Sequence, residues 1–284
     1  MNEQGRSPVN RRAGSGQDEL ASGKVTIDRP ADAVARLTIS NPDKRNALDH
    51  DILDAIAQAM PALADGIETR CVIITGAGKV FSAGYDIGDI PAEVFAQEAE
   101  RLVAHPFSGA IAALNAYPYP TVAVLNGHAI GGGLEVAVSC DLRLAADGIQ
   151  LGMPPAKLGL VYSHTGLQRF IEVVGAPRTR EMFLVGRRVN AQAAERWGLV
   201  NQVFAPERLE AEALALAAEI AGNAPLALQG NKRLIAELLA ADHARDPEVE
   251  RELVEIRRAC FESEDFSEGV RAFAEKRAPH WQGR

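Results

Sequence analysis

The sequence predicts an α/β protein in which a largely parallel sheet is followed by a helical C-terminal region. Two short, continuous apolar runs, residues 71–75 and 121–125, are each followed by Gly or Asn-Gly and are typical of strands buried on both faces. Segments with apolar residues at helical spacing lie before and after these strands, as the crossovers of a parallel sheet require. Beyond residue 165 the character changes and helical patterns dominate.

Composition argues against several classes of function. The chain has 284 residues, of which 47% are hydrophobic and 24% charged, and its formal net charge is -8. This length permits one large domain or one domain with an appendage. The acidic balance argues against a nucleic acid as the main partner. No apolar run approaches the roughly 20 residues of a membrane span, so we expect a cytoplasmic protein without a membrane partner.

The N-terminal segment, residues 1–23, is predicted to be a disordered leader. It is rich in Gly, Ser, Asn, Gln and Arg and lacks the apolar segment that a signal peptide needs. A transit peptide is the weaker alternative, because Glu3, Asp18 and Glu19 add acidic charge to the segment.

The first predicted elements of the α/β part are a strand, a turn and a helix. Residues 34–40 alternate between apolar and polar types and are rich in β-branched side chains, which indicates a strand. A turn signal follows at residues 41–43. Asp49 is the predicted N-cap of a helix, because apolar positions recur at helical spacing from Ile52 to Leu63.

After the two apolar runs, residues 133–140 favour a helix and residues 142–145 a strand. The helical candidates that follow are residues 166–174, 177–185, 191–199, 207–220, 226–239, 247–261 and 267–276. The first three end near glycines, as helices commonly do. We therefore predict an α/β core at residues 24–205 and a helical region at residues 206–284, whose apolar excess indicates contact with another subunit.

The glycine triplet at residues 131–133 leads directly into an apolar helical pattern. The first N–H groups of a helix have no partner within the helix, and glycine leaves room for a ligand oxygen to reach them. Such a segment suits an anion or a developing oxyanion. The alternative, close packing of helix on sheet that requires glycine, is equally consistent with this segment alone.

Glu135 is the residue that favours chemistry at this place. It lies one helical turn beyond Gly132, so both fall on one face of the predicted helix. Its neighbours are apolar, and burial of an unpaired carboxyl raises its pKa. A carboxyl with a raised pKa beside free N–H donors is a candidate general acid or base. A structural ion pair with an Arg or Lys elsewhere is the alternative.

Two further segments supply candidate polar groups. Residues 80–87 contain Gly84, which lets the backbone approach a ligand, although a plain loop is the better interpretation of this segment alone. The loop at residues 152–166 contains Tyr162 and His164, residue types that in loops are more often structural. The three cysteines are widely spaced and form no CxxC pair, so no metal site is expected.

Four separated segments together resemble the crotonase superfamily, the enoyl-CoA hydratase/isomerase proteins. The segments are NPDKRNAL at 41–48, FSAGYDI at 81–87, NGHAIGGGLEVAVSCD at 126–141 and SEDFSEGVRAFAEKR at 263–277. Four motifs in order are far more specific than one, and the resemblance extends from about residue 25 to the C-terminus. It implies an α/β spiral of ββα units forming two near-perpendicular sheets. It also implies a C-terminal region that builds homotrimers, usually paired into hexamers.

The resemblance assigns roles to individual residues. The oxyanion hole would be formed by the N–H groups of Tyr85 and Gly132. The residues that would surround the thioester are Ala83, Gly84, Asp86 and Ile87. The residues that would lie along CoA are Lys44, Arg45 and Ala47, and those that would reach its adenosine and phosphates from a neighbouring subunit are Phe273 and Lys276. The implied partner is an acyl-CoA substrate, and because CoA belongs to the substrate no separate cofactor is expected.

The sequence differs from the hydratases of the family at one catalytic position. The resemblance implies that hydratases hold one water with two glutamates, of which Glu135 matches the first. Alignment places Pro155 at the second position, and proline has no titratable side chain. Since general acid/base help contributes roughly 10²–10⁴-fold per group, we do not expect a full-rate hydratase.

Two reactions need only one carboxyl or none as a base. A double-bond shift from 3-enoyl to 2-enoyl thioester can use Glu135 as a proton ferry, and decarboxylation of a malonyl-type thioester needs a proton donor to the enolate. The chain resembles the methylmalonyl-CoA decarboxylase branch most in its motifs, with a matching tyrosine at Tyr162. It departs from that branch at Tyr85, where histidine is common, and at Pro154, where threonine is common. A hydratase that uses Glu135 alone and a non-catalytic acyl-CoA-binding protein are the alternatives.

Overall fold

The computed structural model describes residues 17–86, 101, 106–241 and 247–280. Its first strand, β1 (Asp18–Leu20), pairs antiparallel with β2 (Val25–Ala31). The prediction of a disordered leader to residue 23 is therefore wrong from residue 18 onward. The strand escaped prediction because it has only three residues, two of them acidic, and pairs with β2 at the edge of the sheet. Residues 1–16 of the predicted leader lie outside the described part of the chain.

The larger sheet has seven strands in the order β1-β2-β3-β4-β6-β8-β11. Its remaining strands are β3 (Val34–Ile39), β4 (Cys71–Gly76), β6 (Thr121–Leu125), β8 (Leu142–Ala146) and β11 (Gln202–Phe204). The strands from β3 to β11 run parallel, whereas β1, β2 and β3 pair antiparallel. The four strands predicted from apolar runs and alternation, β3, β4, β6 and β8, are confirmed, whereas β1, β2 and β11 were not predicted.

The smaller sheet positions the candidate site. Its strands, in the spatial order β10-β9-β7-β5, are β5 (Val80–Ser82), β7 (His128–Ile130), β9 (Gln150–Gly152) and β10 (Arg188–Asn190). Each has three residues, which is too short for alternation to be visible in the sequence. β5 leads into the loop at residues 83–86 and β7 leads into Gly131, so the pairing of β5 with β7 brings the two loops to one edge.

Most α-helices that the structure describes lie at predicted positions, but the helix at Ser108–Ala116 had no predicted range. The two candidates at residues 166–174 and 177–185 fall within one helix, His164–Arg180, which is kinked at Gly175 and continues as a π-helix at Glu181–Val185. The described α-helices are α1 (His50–Leu63), α2 (Ser108–Ala116), α3 (Gly132–Val138), α4 (His164–Arg180), α5 (Ala191–Arg196), α6 (Pro206–Gly222), α7 (Pro225–Ala241), α8 (Pro247–Phe261) and α9 (Glu264–Ala274). The carboxylate of Asp49 accepts a hydrogen bond from the N–H of Ile52 at 2.9 Å, so the predicted N-cap is confirmed.

The last core element is α6, which packs on the larger sheet against β4, β6 and β8. The predicted boundary at residue 206 therefore falls ahead of a helix that belongs to the core, because its apolar side chains, including Leu209, Ala213 and Ala217, cover the sheet. Within the described residues no single helix is long and apolar enough to cross a membrane, and α6 with α7 reaches that length only as a pair bent by 102°.

Candidate active site

Glu135 lies one turn inside α3, directly behind the glycine segment. Gly131 precedes the helix with φ 55° and ψ -129°, a conformation that glycine adopts far more readily than other residues. Its N–H donates to the carbonyl of Gly152 at 2.9 Å, which fixes the start of the helix against the smaller sheet. Glu135 is only 4% exposed, so the prediction of a buried carboxyl is confirmed.

The carboxylate of Glu135 accepts a hydrogen bond from the hydroxyl group of Tyr162. Burial raises the pKa of Glu135 to about 7, although the hydrogen bond from Tyr162 and the positive charge of Arg169 act in the opposite direction. Burial and the negative charge of Glu135 together raise the pKa of Tyr162 well above its usual value. Near neutral pH, therefore, Glu135 can hold or release a proton while Tyr162 remains a hydrogen-bond donor.

Gly166 leaves the space that the side chains of Glu135 and Tyr162 occupy. It lies in the first turn of α4, where its N–H donates to the N-cap hydroxyl of Ser163 at 3.1 Å. A Cβ atom at this position would lie 2.7 Å from the ring of Tyr162 and 2.8 Å from Oε1 of Glu135. Any larger residue would therefore displace one of the two side chains.

The loop after β5 pairs with the turn that precedes α1. The N–H of Leu48 donates to the carbonyl of Gly84 at 2.7 Å, and the N–H of Asp86 donates to the carbonyl of Leu48 at 3.0 Å. The N–H of Ala83 donates to the carbonyl of Arg45 at 3.0 Å. These backbone bonds bring together the two segments to which the sequence assigned thioester and CoA contacts.

The same loop meets the start of α3. Gly84 has φ 99°, and a Cβ atom there would lie 2.8 Å from the carbonyl of Ile130 and 3.5 Å from the nitrogen of Gly132. A Cβ atom at Gly132 would lie 2.6 Å from the ring of Tyr85. Among the described residues, none accepts a hydrogen bond from the Gly132 N–H. The two predicted oxyanion-hole segments are therefore adjacent, and glycine is required at both contacts.

Aromatic rings pack around the two tyrosines of the site. The hydroxyl oxygens of Tyr85 and Tyr162 are 3.4 Å apart. The ring of Tyr85 packs edge-on against Phe107 with centroids 4.9 Å apart, and the ring of Tyr162 packs edge-on against Phe183 at 5.4 Å. Phe183 in turn contacts Phe170 at 5.0 Å. The hydroxyl of Tyr162 therefore contacts both the hydroxyl of Tyr85 and the carboxylate of Glu135, and phenylalanine rings pack against both tyrosines.

Comparison with known proteins identifies the family to which this architecture belongs. Residues 29–284 match the sequence profile described as Enoyl-CoA hydratase/isomerase. The chain belongs to the enoyl-CoA hydratase/isomerase family. A putative enoyl-CoA hydratase/isomerase of Bacillus subtilis is 35% identical over 252 residues, which cover 88% of this chain and 95% of that protein. A carnitinyl-CoA dehydratase of Salmonella arizonae is 36% identical over 271 residues, which cover 92% and 94%.

Solved structures of the family share the fold. A methylmalonyl-CoA decarboxylase in complex with 2-nitronate-propionyl-CoA superposes with a TM-score of 0.84 at 30% identity, covering 92% of this chain and 99% of that one. An enoyl-CoA hydratase from Mycobacterium avium subsp. paratuberculosis superposes with a TM-score of 0.76 at 27% identity, covering 91% and 98%. The crotonase fold implied by the resemblance, with its two mixed sheets and C-terminal helices, is confirmed.

Most of the residues that the family resemblance singled out lie together. Lys44 is held by an ion pair of 2.9 Å with Asp86, so both flank the loop of Tyr85. Ala47 is buried beside Leu48. Ile87 lies outside the described residues, and its predicted contact with the thioester stays a prediction.

Phe273 and Lys276, the two predicted CoA contacts near the C-terminus, lie at and just beyond the end of α9. Phe273, at the end of α9, is 67% exposed, and Lys276 follows the helix with φ 54°. α9 packs against the 3-10 turn Pro155–Leu158 of its own chain. The sequence assigned these residues to a neighbouring subunit, whereas the structure places their helix near the site of the same chain. Their contact with CoA stays a prediction.

Three residues that surround the Glu135–Tyr162 pair were not predicted from the sequence. Phe107 and Phe183 pack on the two tyrosines, and Arg169 projects from α4 close enough for its charge to act on Glu135. Arg169 donates to Oδ1 of Asn115 at 3.0 Å, which holds its guanidinium. Its position one turn beyond Gly166 on a helix that starts at the Tyr162 loop is the pattern that would have found it.

Pro155 is buried at the start of its 3-10 turn. The family resemblance implied that hydratases carry their second glutamate at this position, and that correspondence stays a prediction. The turn is closed by backbone hydrogen bonds, including one from the N–H of Lys157 to the carbonyl of Pro154 at 3.0 Å. The segment therefore has a defined conformation, and none of its four residues, Pro155–Leu158, carries a carboxyl group.

Proposed function

We propose that this chain decarboxylates a malonyl-type acyl-CoA thioester through an enolate that Glu135 protonates. The observation that carries the proposal is the contact of the Tyr162 hydroxyl with the buried Glu135 carboxylate, one turn beyond Gly132. Within the enoyl-CoA hydratase/isomerase family, this arrangement combines a proton donor with a candidate oxyanion hole. A second carboxyl for activating water is missing from the Pro155 position.

The proposed chemistry has two steps. The bond between Cα and the carboxylate carbon breaks, CO₂ leaves, and the electron pair forms the enolate, whose oxygen accepts hydrogen bonds from the N–H groups of Tyr85 and Gly132. Protonated Glu135 then delivers its proton to Cα, and the thioester is restored. The reaction consumes one proton and needs no oxidant, reductant or metal.

The apolar surround favours the first step. A substrate carboxylate beside the rings of Tyr85, Phe107 and Tyr162 would be poorly solvated, whereas the departing CO₂ is neutral and the developing charge moves to the oxyanion hole. The likeness to the methylmalonyl-CoA decarboxylase structure, at a TM-score of 0.84, supports the same assignment.

Double-bond isomerisation is the second candidate, and the titration of Glu135 favours it. A carboxyl with a pKa of about 7 can take a proton from C2 of a 3-enoyl thioester and return it at C4. Hydration by Glu135 alone and acyl-CoA binding without turnover remain as further outcomes of the test. Relatives of this chain include proteins named as hydratases and dehydratases.

The test is a panel of three substrates with the purified protein. We expect CO₂ release from methylmalonyl-CoA, with slower or absent hydration of crotonyl-CoA. Faster conversion of a 3-enoyl-CoA than of methylmalonyl-CoA would replace the proposal by isomerisation. Fast hydration of crotonyl-CoA would contradict the role given to Pro155, and tight binding without turnover of any of the three would indicate a binding protein.

We also propose that the helical C-terminal region assembles the chain into homotrimers or hexamers. α7 exposes several large apolar side chains, namely Leu226, Leu234, Ile235, Leu238 and Leu239. An exposed apolar helix face of this kind is typical of an interface. Light scattering of the purified protein is expected to give the mass of a trimer or hexamer, and a monomer would contradict the assignment.

A further inference from the structure

Proton supply is a separate requirement of the proposed reaction. Each decarboxylation leaves Glu135 without its proton, and the next turnover needs that proton replaced from solvent. Glu135 is 4% exposed and Tyr162 is 8% exposed, so neither group takes up a proton readily from bulk water. A neighbouring group that links the buried pair to the outside is therefore required.

Tyr85 occupies the position that such a link needs. The single hydroxyl proton of Tyr162 is directed to Glu135, so the oxygen of Tyr162 accepts at its 3.4 Å contact with the hydroxyl of Tyr85. Tyr85 is only partly buried. The contact is longer than the usual 2.5–3.0 Å for O–H···O bonds, and catalytic hydrogen bonds commonly shorten when substrate binds.

We propose that Tyr85 is the proton-entry residue of this site, in an inference that rests on the proposed function. The hydroxyl proton of Tyr85 passes to the oxygen of Tyr162, the proton of Tyr162 passes to the carboxylate of Glu135, and the oxygen of Tyr85 takes a proton from water or a buffer acid. One proton enters for each CO₂ released, and the relay involves no oxidation or reduction.

The packing of Tyr85 holds its hydroxyl in this position. Its ring lies edge-on to Phe107, with centroids 4.9 Å apart, and against the backbone of Gly132, which has no side chain to displace it. Phenylalanine would fill the same space and leave the backbone N–H in place, but it could not carry a proton.

The experiment compares Tyr85→Phe with the matched control Tyr119→Phe. Tyr119 is fully buried outside the site, and its hydroxyl has no hydrogen-bond partner among the described residues, so the control removes a phenol oxygen without touching the proposed relay. Both variants and the wild type are assayed on methylmalonyl-CoA for the first turnover and for the steady-state rate, at low and high concentrations of a small buffer acid such as imidazole.

For Tyr85→Phe we expect a first turnover close to that of the wild type, because Glu135 starts protonated, and a steady-state rate at least about tenfold lower. Imidazole is expected to restore the steady-state rate of this variant and to leave the wild type and Tyr119→Phe unchanged. Equal loss in the first and later turnovers, or a steady-state rate that matches the wild type, would overturn the inference. Loss of rate without rescue by imidazole would also overturn it.

Wild-type turnover separates this inference from the proposed function. If the wild type releases no CO₂, the proposed decarboxylation is wrong, and the relay is then tested by exchange of the Cα hydrogens of propionyl-CoA with D₂O, which needs the same proton traffic. Exchange that slows in Tyr85→Phe and recovers with imidazole supports the relay. Exchange that is unaffected by the substitution, or undetectable in the wild type, contradicts it.

Discussion

The hydroxyl group of Tyr162 donates a hydrogen bond to the carboxylate of Glu135, although the two residues lie 27 positions apart on either side of β8 and β9. The contact forms because α3 and the start of α4 pack together, and Gly166 leaves the space for both side chains. It joins a carboxyl with a raised pKa to a donor whose own pKa is raised.

Removing the titratable carboxyl is expected to abolish most of the activity. Glu135→Gln keeps an oxygen that can accept from Tyr162 but cannot deliver a proton to Cα, so we expect CO₂ release from methylmalonyl-CoA to fall by about 10²-fold or more. The matched control is Glu219→Gln on the exposed face of α6, which should retain wild-type activity. A Glu135→Gln variant that keeps full activity would remove Glu135 from the mechanism.

The pH dependence of the rate distinguishes decarboxylation from isomerisation. A decarboxylase needs Glu135 protonated at the start of the proton-delivery step, so kcat is expected to fall as the pH rises through the Glu135 pKa of about 7. An isomerase needs Glu135 ionised as a base, and its rate would rise over the same range. Initial rates on methylmalonyl-CoA and a 3-enoyl-CoA across this range give the direction, and a flat profile for both would contradict a titrating role of Glu135.

The same carboxyl makes stability depend on pH. Its folded pKa of about 7 lies above the ordinary value of 4.5 for a glutamate, so the folded state binds the proton more tightly. The stabilising contribution is complete below about pH 4.5 and is lost as the pH rises through 7. Because a pKa difference of this size corresponds to about 3 kcal/mol, the free energy of unfolding of Glu135→Gln should rise by up to that amount relative to the wild type between these two pH values. Urea unfolding of both proteins below pH 4.5 and above pH 7 measures this difference. A free energy of unfolding that changes with pH equally in the wild type and in Glu135→Gln would refute the prediction.

A methyl group at Gly132 is expected to disrupt the candidate oxyanion hole. Its Cβ would lie 2.6 Å from the ring of Tyr85, so Gly132→Ala must shift the ring or the helix start that carries the N–H group. We expect a loss of about 10²-fold in kcat, the scale seen when one oxyanion donor is removed. Gly109→Ala in α2 is the control, because nothing lies within 4 Å of its Cβ. It should keep full activity and gain up to about 1 kcal/mol of stability. Similar kinetics for both variants would remove Gly132 from the site.

The sequence predicted four strands of the large sheet because these strands are long enough to show their burial, whereas β2, although it has seven residues, was not predicted. β4 and β6 are continuous apolar runs, and β3 alternates along six residues. The smaller sheet was not predicted, since each of its strands has three residues and is defined by pairing with partners distant in the chain. β1 was missed for the same reason and was placed in the leader instead.

The site was predictable where burying a single side chain costs free energy regardless of its neighbours in the fold. Glu135 stood out because a carboxyl in an apolar helix must find a partner or change its pKa, and that reasoning needs no tertiary structure. Its partner Tyr162 came from the family resemblance, since no local pattern links the two. Phe107 and Phe183 were not found, because their roles arise only when α2, α4 and the segment at residues 181–185 pack around the carboxyl. Arg169 was not found either, although it lies one turn beyond Gly166 on the helix that starts at the Tyr162 loop.

The most direct test of the central claim is turnover of methylmalonyl-CoA in D₂O, followed by mass analysis of the acyl-CoA product. If Glu135 protonates an enolate held at Tyr85 and Gly132, the wild type yields propionyl-CoA with one deuterium at Cα for each CO₂ released. Glu135→Gln should yield the same product at a rate lower by about 10²-fold or more. Absence of CO₂ and of deuterated product, together with fast hydration of crotonyl-CoA, would contradict the account.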